Sequence, residues 1–284
     1  MLPIRAHFDS LDAFCTAPCV NPENEQVIRD KIRNERGEWK VLAGKHWLGT
    51  ETTQEAADRV TKGWPEGAAR IFECMSNMEV TAPVSVKRKI ARGAQGDELD
   101  IHCVYRGDLE HAWTSRRRKH TRSQRTVRIV AQTNLLSNVS AEEMFWRGAA
   151  IVKLSDALTE AGYGVEIIAA LASKRIQGHN VEFLATFPMK HAHDPLDCEM
   201  LAGVLAHAGF HRIYGFRMYA ALFPVKAHAA AGGNASTSTD GRVIRNGNLD
   251  ADGVFTLVAP YHITTQERAQ KWVNSVINQL GDQS

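Results

Sequence analysis

No stretch of this 284-residue chain stays apolar for the roughly eighteen residues that a membrane-spanning helix needs, so a helical membrane span is excluded. The first residues, MLPIRAHFDSLDAF, hold no basic segment leading into an apolar one. No secretory signal is expected, and the chain reads as cytoplasmic. Cysteine is sparse. The five thiols, Cys15, Cys19, Cys74, Cys103 and Cys198, are odd in number and irregular in spacing. That speaks against a disulfide framework and for a reducing compartment, where thiols serve as small hydrophobes. C-T-A-P-C at 15–19 sets three residues between its thiols, one more than a redox pair uses.

The signatures of catalysis are missing as well. There is no G-x-S-x-G elbow, no phosphate loop of the G-x-x-x-x-G-K-[ST] type, no G-x-G-x-x-G after a strand and no H-E-x-x-H. G-N-L-D-A-D-G echoes a calcium loop but lacks the terminal Glu at the required distance. No catalytic residue, metal or cofactor is therefore expected. K-H-A-H-D-P-L-D-C at 190–198 gathers His191, His193, Asp194, Asp197 and Cys198, yet its spacing matches no standard zinc pairing. D-P-L-D is better read as a turn and N-cap for the helix that follows.

What the chain does contain is an ordinary globular balance, 44% hydrophobic and 23% charged, with enough apolar mass for a core. Residues 1–82 are expected to form a mostly helical N-terminal region. P-E-N-E-Q-V-I-R-D-K-I-R-N-E-R-G has its proline and acids first, its bases later and a terminal Gly. Thr52 with Glu55 makes a capping box and Gly63 a stop, and a further helix restarts at Pro65. Trp39, Trp47 and Trp64 are the expected packing anchors. Residues 83–126 read as a basic strand or hairpin excursion, with V-S-V-K-R-K-I and L-D-I-H-C-V-Y as strands and D-L-E-H-A-W as a short helix.

From 127 the pattern becomes a strand–helix alternation. V-R-I-V-A-Q-T is a strand, and a long helix follows with Ser140 as N-cap, Glu143 at the capping-box position and Gly162 as its stop. Strands G-V-E-I-I-A-A-L-A-S, N-V-E-F-L-A-T-F-P and V-F-T-L-V-A-P come next, with a helical stretch that breaks near Gly209 and a last helix after 263. Such alternation predicts an α/β domain over 127–284, with a Rossmann-like parallel sheet flanked by helices on both faces. The Ala-, Gly- and Ser-rich stretch 227–253 is expected to be a long loop.

Charge is segregated. The chain is nearly neutral at +2, yet T-S-R-R-R-K-H-T-R-S-Q-R-T-V-R-I at 114–129 holds seven Lys or Arg and no acid. Arg116, Arg117, Arg118 and Lys119 are consecutive, so no single helix or strand face holds them all. Arg122, Arg125 and Arg128 would align if that part were helical. Lys87, Arg88, Lys89 and Arg92 add a second basic cluster. Like charges crowded within a Debye length of about 8 Å repel, and a polyanion relieves them. Tyr105 and Trp113 are the candidate stacking platforms for bases. Single-stranded DNA is the expected partner of these residues, including Arg125. A solvated loop with no partner and a contact with an acidic protein surface stay open.

V-R-I-V-A-Q-T-N-L-L-S followed by L-T-E-A-G-Y-G-V-E-I-I-A-A-L resembles the von Willebrand factor A-type fold over roughly 125–282. That family carries a metal-binding Asp-x-Ser-x-Ser where this chain reads Thr133-Asn134-Leu135-Leu136-Ser137. The carboxylate is missing, and a hard divalent cation wants at least one. W-L-G-T-E-T-T-Q-E-A-A-D-R-V-T-K-G-W-P-E-G-A, G-D-E-L-D-I-H-C-V-Y-R-G-D-L-E-H-A-W and F-W-R-G-A-A-I-V-K-L look similar to a phage and mobile-element family of unknown function. Size and basic character also resemble the Drc-type early single-stranded DNA-binding proteins of podoviruses with a virion RNA polymerase. That resemblance implies strand binding, self-association into a homo-oligomer, host-cytoplasmic location and a role in phage transcription or replication. RNA polymerase or replication proteins would be its partners. The rivals are a protein–protein adaptor on a metal-free A-type domain and an enzyme with its site near His191, Asp194 and Asp197.

Overall fold

The computed structural model describes residues 4–17, 48–79, 89–96, 98–117, 126–134, 139–176, 179–192, 194–215, 217–218, 249, 254–260 and 262–281. The expected helix at 22–37, Trp39, Trp47 and nearly all of the 227–253 loop lie outside the described residues.

Strand β5 (Thr126–Gln132) is the centre of the architecture, with Val127, Ile129, Val130 and Ala131 all buried. Burial on both faces is what its unbroken apolar run demands. It pairs in parallel with β6 (Gly164–Ile176) on one side and β8 (Val254–Ala259) on the other. Between β5 and β6 runs α5 (Ala141–Glu160). Its Ser140–Glu143 capping box is present as expected, with Glu143 N donating to Ser140 Oγ at 3.1 Å and Ser140 N to Glu143 Oε2 at 2.7 Å. Past its C-terminus the chain turns at Gly162, whose φ of +92° a side chain would resist.

The next strand corrects the expected alternation. β7 (His179–Lys190) follows β6 after two residues and pairs with it antiparallel, because a link that short permits a hairpin and no crossover. β1 (Ile4–His7) then adds parallel to β7, so the first 82 residues carry a strand as well as helices. The five-stranded order is β1-β7-β6-β5-β8. The result is a mixed α/β fold on a mostly parallel, Rossmann-like sheet flanked by helices.

Strand parity sorts the two faces. Val127, Ile129, Ala131, Ile167, Ala169, Leu171, Phe183 and Phe187 belong to one large core with Phe145, Ile151 and Leu154 of α5. The same core takes Phe14 of α1 (Leu11–Thr16), Val60 of α2 (Thr53–Thr61), Ile71 and Met75 of α3 (Pro65–Ser76), and Val273 and Ile277 of α7 (Gln266–Gly281). Val130, Ala170, Ala172 and Leu184 form a separate small cluster with Leu249 and Val258. The described helices thus gather on one face, where both faces had been expected.

Thr52 caps α2 through Glu55 N at 3.1 Å, and Gly63 takes φ +90° before α3, both as the sequence indicates. Asp197 accepts from Met200 N at 3.0 Å and caps α6 (Cys198–Leu201). α6 widens into a π-helical turn, Ala202–Ala206, and a second one follows at Phe210–Gly215. His207 between them is extended, which places the break beside Gly209.

A second sheet, order β2-β4-β3, is built from β2 (Lys89–Gly93), β3 (Glu98–Leu99) and β4 (Trp113–Arg117), all antiparallel. L-D-I-H-C-V-Y is not the strand its alternation suggests. Asp100 caps a short helix, α4 (Ile101–Tyr105), by accepting from His102 N at 3.1 Å. D-L-E-H becomes a 3₁₀ turn, Leu109–His111. Among the described residues, no helix is long and apolar enough to cross a membrane.

Candidate functional site

The small sheet brings the two basic stretches of the sequence together. Register sets Lys89 opposite Arg117, Ile90 opposite Arg116 and Arg92 opposite Thr114. Paired residues share a face and successive residues alternate. Lys89 and Arg117 therefore take register positions on one face, with Trp113, and Arg92 and Arg116 on the other. The backbone of these four is described, and their side chains are not. Lys87, Arg88, Arg118, Lys119, Arg122 and Arg125 lie outside the described residues.

Trp113 opens β4, half-buried, opposite Gly93 of β2 and Leu99 of β3. Tyr105 ends α4 with 83% of its surface exposed. An aromatic that open gains little from the fold and is available to a flat partner. Arg106, which sequence reasoning passed over, is exposed on the same module and donates to Sγ of buried Cys103 at 3.4 Å. Leu99, Ile101 and Leu109 are exposed there too, and Cys103 and Ala112 are its buried side chains.

Arg128 is lost from the expected cationic face. It lies in β5, not on a helix aligned with Arg122 and Arg125, at the register position opposite Glu166 of β6. Its Nε donates to Glu166 Oε2 at 2.9 Å and its Nη1 to the Leu249 carbonyl. That charge is spent inside the fold.

Around 190–198 the polar groups serve the backbone. Buried Lys190 donates from Nζ to the carbonyls of Val165 at 2.8 Å and His191 at 3.0 Å. Asp194 accepts from His191 N at 3.1 Å. Among the described residues, which leave out His193, no three His, Cys, Asp or Glu side chains are placed to hold a metal.

A polar cluster at the carboxyl end of β5 was not foreseen. Gln132, Thr133 and Asn134 are all buried there. Thr133 donates from N and Oγ1 to the Ala170 carbonyl, at 2.8 and 3.1 Å, and Asn134 Oδ1 accepts from Ala172 N at 2.7 Å. Where the A-type family holds a metal, this chain uses an amide to tie β5 to β6. From α5, Arg147 donates Nη1 to the Asn134 carbonyl at 2.9 Å, while its Nη2 has no acceptor among the described residues. Arg212, in the second π turn, donates to the Val139 carbonyl. Burial alone lowers Arg147 to about 10 and Arg212 to about 9. Burial, and then the two guanidinium charges, pushes His211 down to about 3, so its imidazole is neutral at physiological pH. A buried cation without a counter-charge costs on the order of several kcal/mol. The sequence signal was present: an Arg in F-W-R-G-A-A, on the apolar stripe of a long helix.

His207, between the π turns, accepts from Gly209 N on Nδ1 at 3.1 Å. Its ring meets Trp64 edge-on, centroids 5.1 Å apart, and the Arg59 guanidinium lies 4.9 Å from a Trp64 ring centroid. Burial and then the Arg59 charge hold His207 near 3 as well, down to about 3. Trp64 is the one expected tryptophan anchor among the described residues, and it does pack, with Gly67 leaving space for its ring.

Fold and site together define a mixed α/β protein whose Rossmann-like sheet is joined in sequence to a small antiparallel sheet with basic strands. The chain belongs to the family described as Domain of unknown function (DUF7192), which matches residues 3–267. That span takes in the N-terminal helices, the basic strands and the large sheet alike. No curated protein and no solved structure matches the chain.

Proposed function

We propose that this chain is a non-enzymatic nucleic-acid-binding protein that holds single-stranded DNA along β2 and β4. The observation that carries the reading is the register that lays Lys89 and Arg92 beside Arg116 and Arg117 on neighbouring strands. Adjacent strands sit about 4.8 Å apart, so cations on them fall well inside one Debye length and gain from a phosphate chain. Exposed Tyr105 offers a stacking face, and half-buried Trp113 a second. Guanidinium groups would supply paired phosphate contacts and the lysines point charges. In this reading the strand is sequestered or presented, and no bond is made. The A-type body would serve as a metal-free carrier. Self-association and service to a phage transcription or replication complex follow from the Drc-type resemblance.

A second reading has its own support. Leu99, Ile101 and Leu109 are 48%, 55% and 63% exposed on the same module, an apolar rim that suits a protein partner. One titration separates the two. Fluorescence anisotropy with a labelled single strand should give binding that collapses between about 50 and 500 mM salt. Replacing Arg116, Arg117 and Arg118 by Ala should flatten the log K–log salt slope by roughly two, at about 0.7 per lost contact. Absence of low-salt binding, or a triple variant indistinguishable from wild type, would overturn strand binding and leave the adaptor.

A further inference from the structure

We infer that Arg147, with Arg212 and His211, forms an internal receptor for a small oxyanion of the phosphate class at the carboxyl end of β5. Arg147 is 2% exposed, and its single acceptor is the Asn134 carbonyl. A guanidinium has five donor hydrogens in a planar fork that matches two oxygens of a phosphate or phosphomonoester. Its Nη2 is a buried donor with no acceptor among the described residues, and so is Nε2 of Gln132, two positions before Asn134 on the same strand end. Native interiors rarely leave such donors unsatisfied.

Counter-charge is missing at the same place. None of the described ion pairs involves Arg147, and burial is the sole cause of its lowered pKa. The four residues after Asn134, Leu135-Leu136-Ser137-Asn138, contain no acid in sequence. Arg212 brings a second guanidinium to the same β5–α5 connection through the Val139 carbonyl, and both charges act on His211. An anion would satisfy the open donor and offset both cations at once.

Backbone form points the same way. Arg212 and His211 ride on a π-helical turn, a widened winding that recurs at functional sites. The carboxyl ends of the strands in an open α/β sheet are where ligands of this fold class bind. β5 ends there between two parallel neighbours, β6 and β8.

The test is calorimetric titration of the full chain with inorganic phosphate and, separately, adenosine 5′-monophosphate, each at constant ionic strength. Adenosine is the control. Saturable binding of both phosphates, and none of adenosine, is expected. Stronger binding of the monophosphate would assign the ligand to phosphomonoesters, and equal binding to the free ion. Arg147→Lys, which keeps the charge and loses the fork, should weaken binding about ten- to a hundredfold. The Arg116, Arg117, Arg118 triple-Ala variant should bind phosphate as wild type does, so failure of strand binding leaves this inference standing. Should Arg147→Lys fail to fold, crystals of the wild type grown with selenate decide. An anomalous peak within hydrogen-bond distance of Arg147 Nη2 supports the receptor, and a peak only on the basic strands refutes it. Absence of saturable phosphate binding, or its loss in the triple variant alone, also overturns the inference.

Discussion

Acid should destabilise this protein well above the pH range in which carboxylates titrate, because two buried histidines have no room for a proton. His207 and His211 are each 2% exposed, and both are lowered from 6.5 to about 3. The geometry of His207 is independent support. Gly209 N donates to its Nδ1, so protonating that nitrogen breaks the bond and sets two donors face to face. The sign follows from linkage. Above the unfolded pKa neither state holds the proton and nothing is lost. As pH falls below it, the unfolded chain binds a proton that the folded chain refuses, and stability declines until the folded pKa is reached. From about pH 7.5 to pH 5 each histidine costs about 2 kcal/mol, so the pair removes about 4 kcal/mol, a large share of a typical total of 5–15 kcal/mol. Urea unfolding followed by tryptophan fluorescence at a series of pH values measures this directly. Changing His207 and His211 to Gln together should flatten the profile over that window. A wild-type profile that falls by less than about 1 kcal/mol, or a double variant as steep as wild type, would refute the burial argument.

Two further outcomes test the packing and the charge assignment. A Cβ on Gly148 of α5 would meet Ala206 Cβ at 2.4 Å and its backbone N at 2.6 Å, so Gly148→Ala must push a π turn aside. Overpacking costs about 1–3 kcal/mol or more and outweighs the roughly 1 kcal/mol of helix propensity gained, and a thermal melt should show a Tm lowered by several degrees. A variant as stable as wild type would show that the contact yields. Arg128→Met should cost about 1–3 kcal/mol in urea unfolding, since it strands half-buried Glu166, yet leave single-strand affinity unchanged in anisotropy. A matching drop in DNA affinity would put Arg128 back on the cationic face.

The punctuation of the fold was legible residue by residue. Ser140 with Glu143, Thr52 with Glu55, Asp197, Gly63 and Gly162 act where the sequence places them, because caps and left-handed turns depend on neighbours within a few positions. Apolar periodicity was less reliable. L-D-I-H-C-V-Y alternates as a strand would, but Asp100 caps it into a helix that leaves Ile101 and Tyr105 in solvent. The β6–β7 hairpin was visible in outline: no helix-length segment separates those strands, and reading them as parallel ignored the missing crossover. Arg147 was quoted as part of a distinctive word and passed over, since the buried surroundings of an arginine are invisible until the helix is docked.

Local chemistry along the chain determined the caps, the strands of the large sheet, the basic stretches and their separation from the acids. Tertiary structure alone decided what each charge does. Arg128 meets Glu166 from 38 positions away, across two adjacent parallel strands, and becomes part of the interior. Lys89 and Arg117 meet on the small sheet, and Arg147 is sealed against the end of β5. The reason is physical: a guanidinium's role is set by whether a carboxylate, a carbonyl or water lies within a few ångströms, and strand register and helix docking fix that distance.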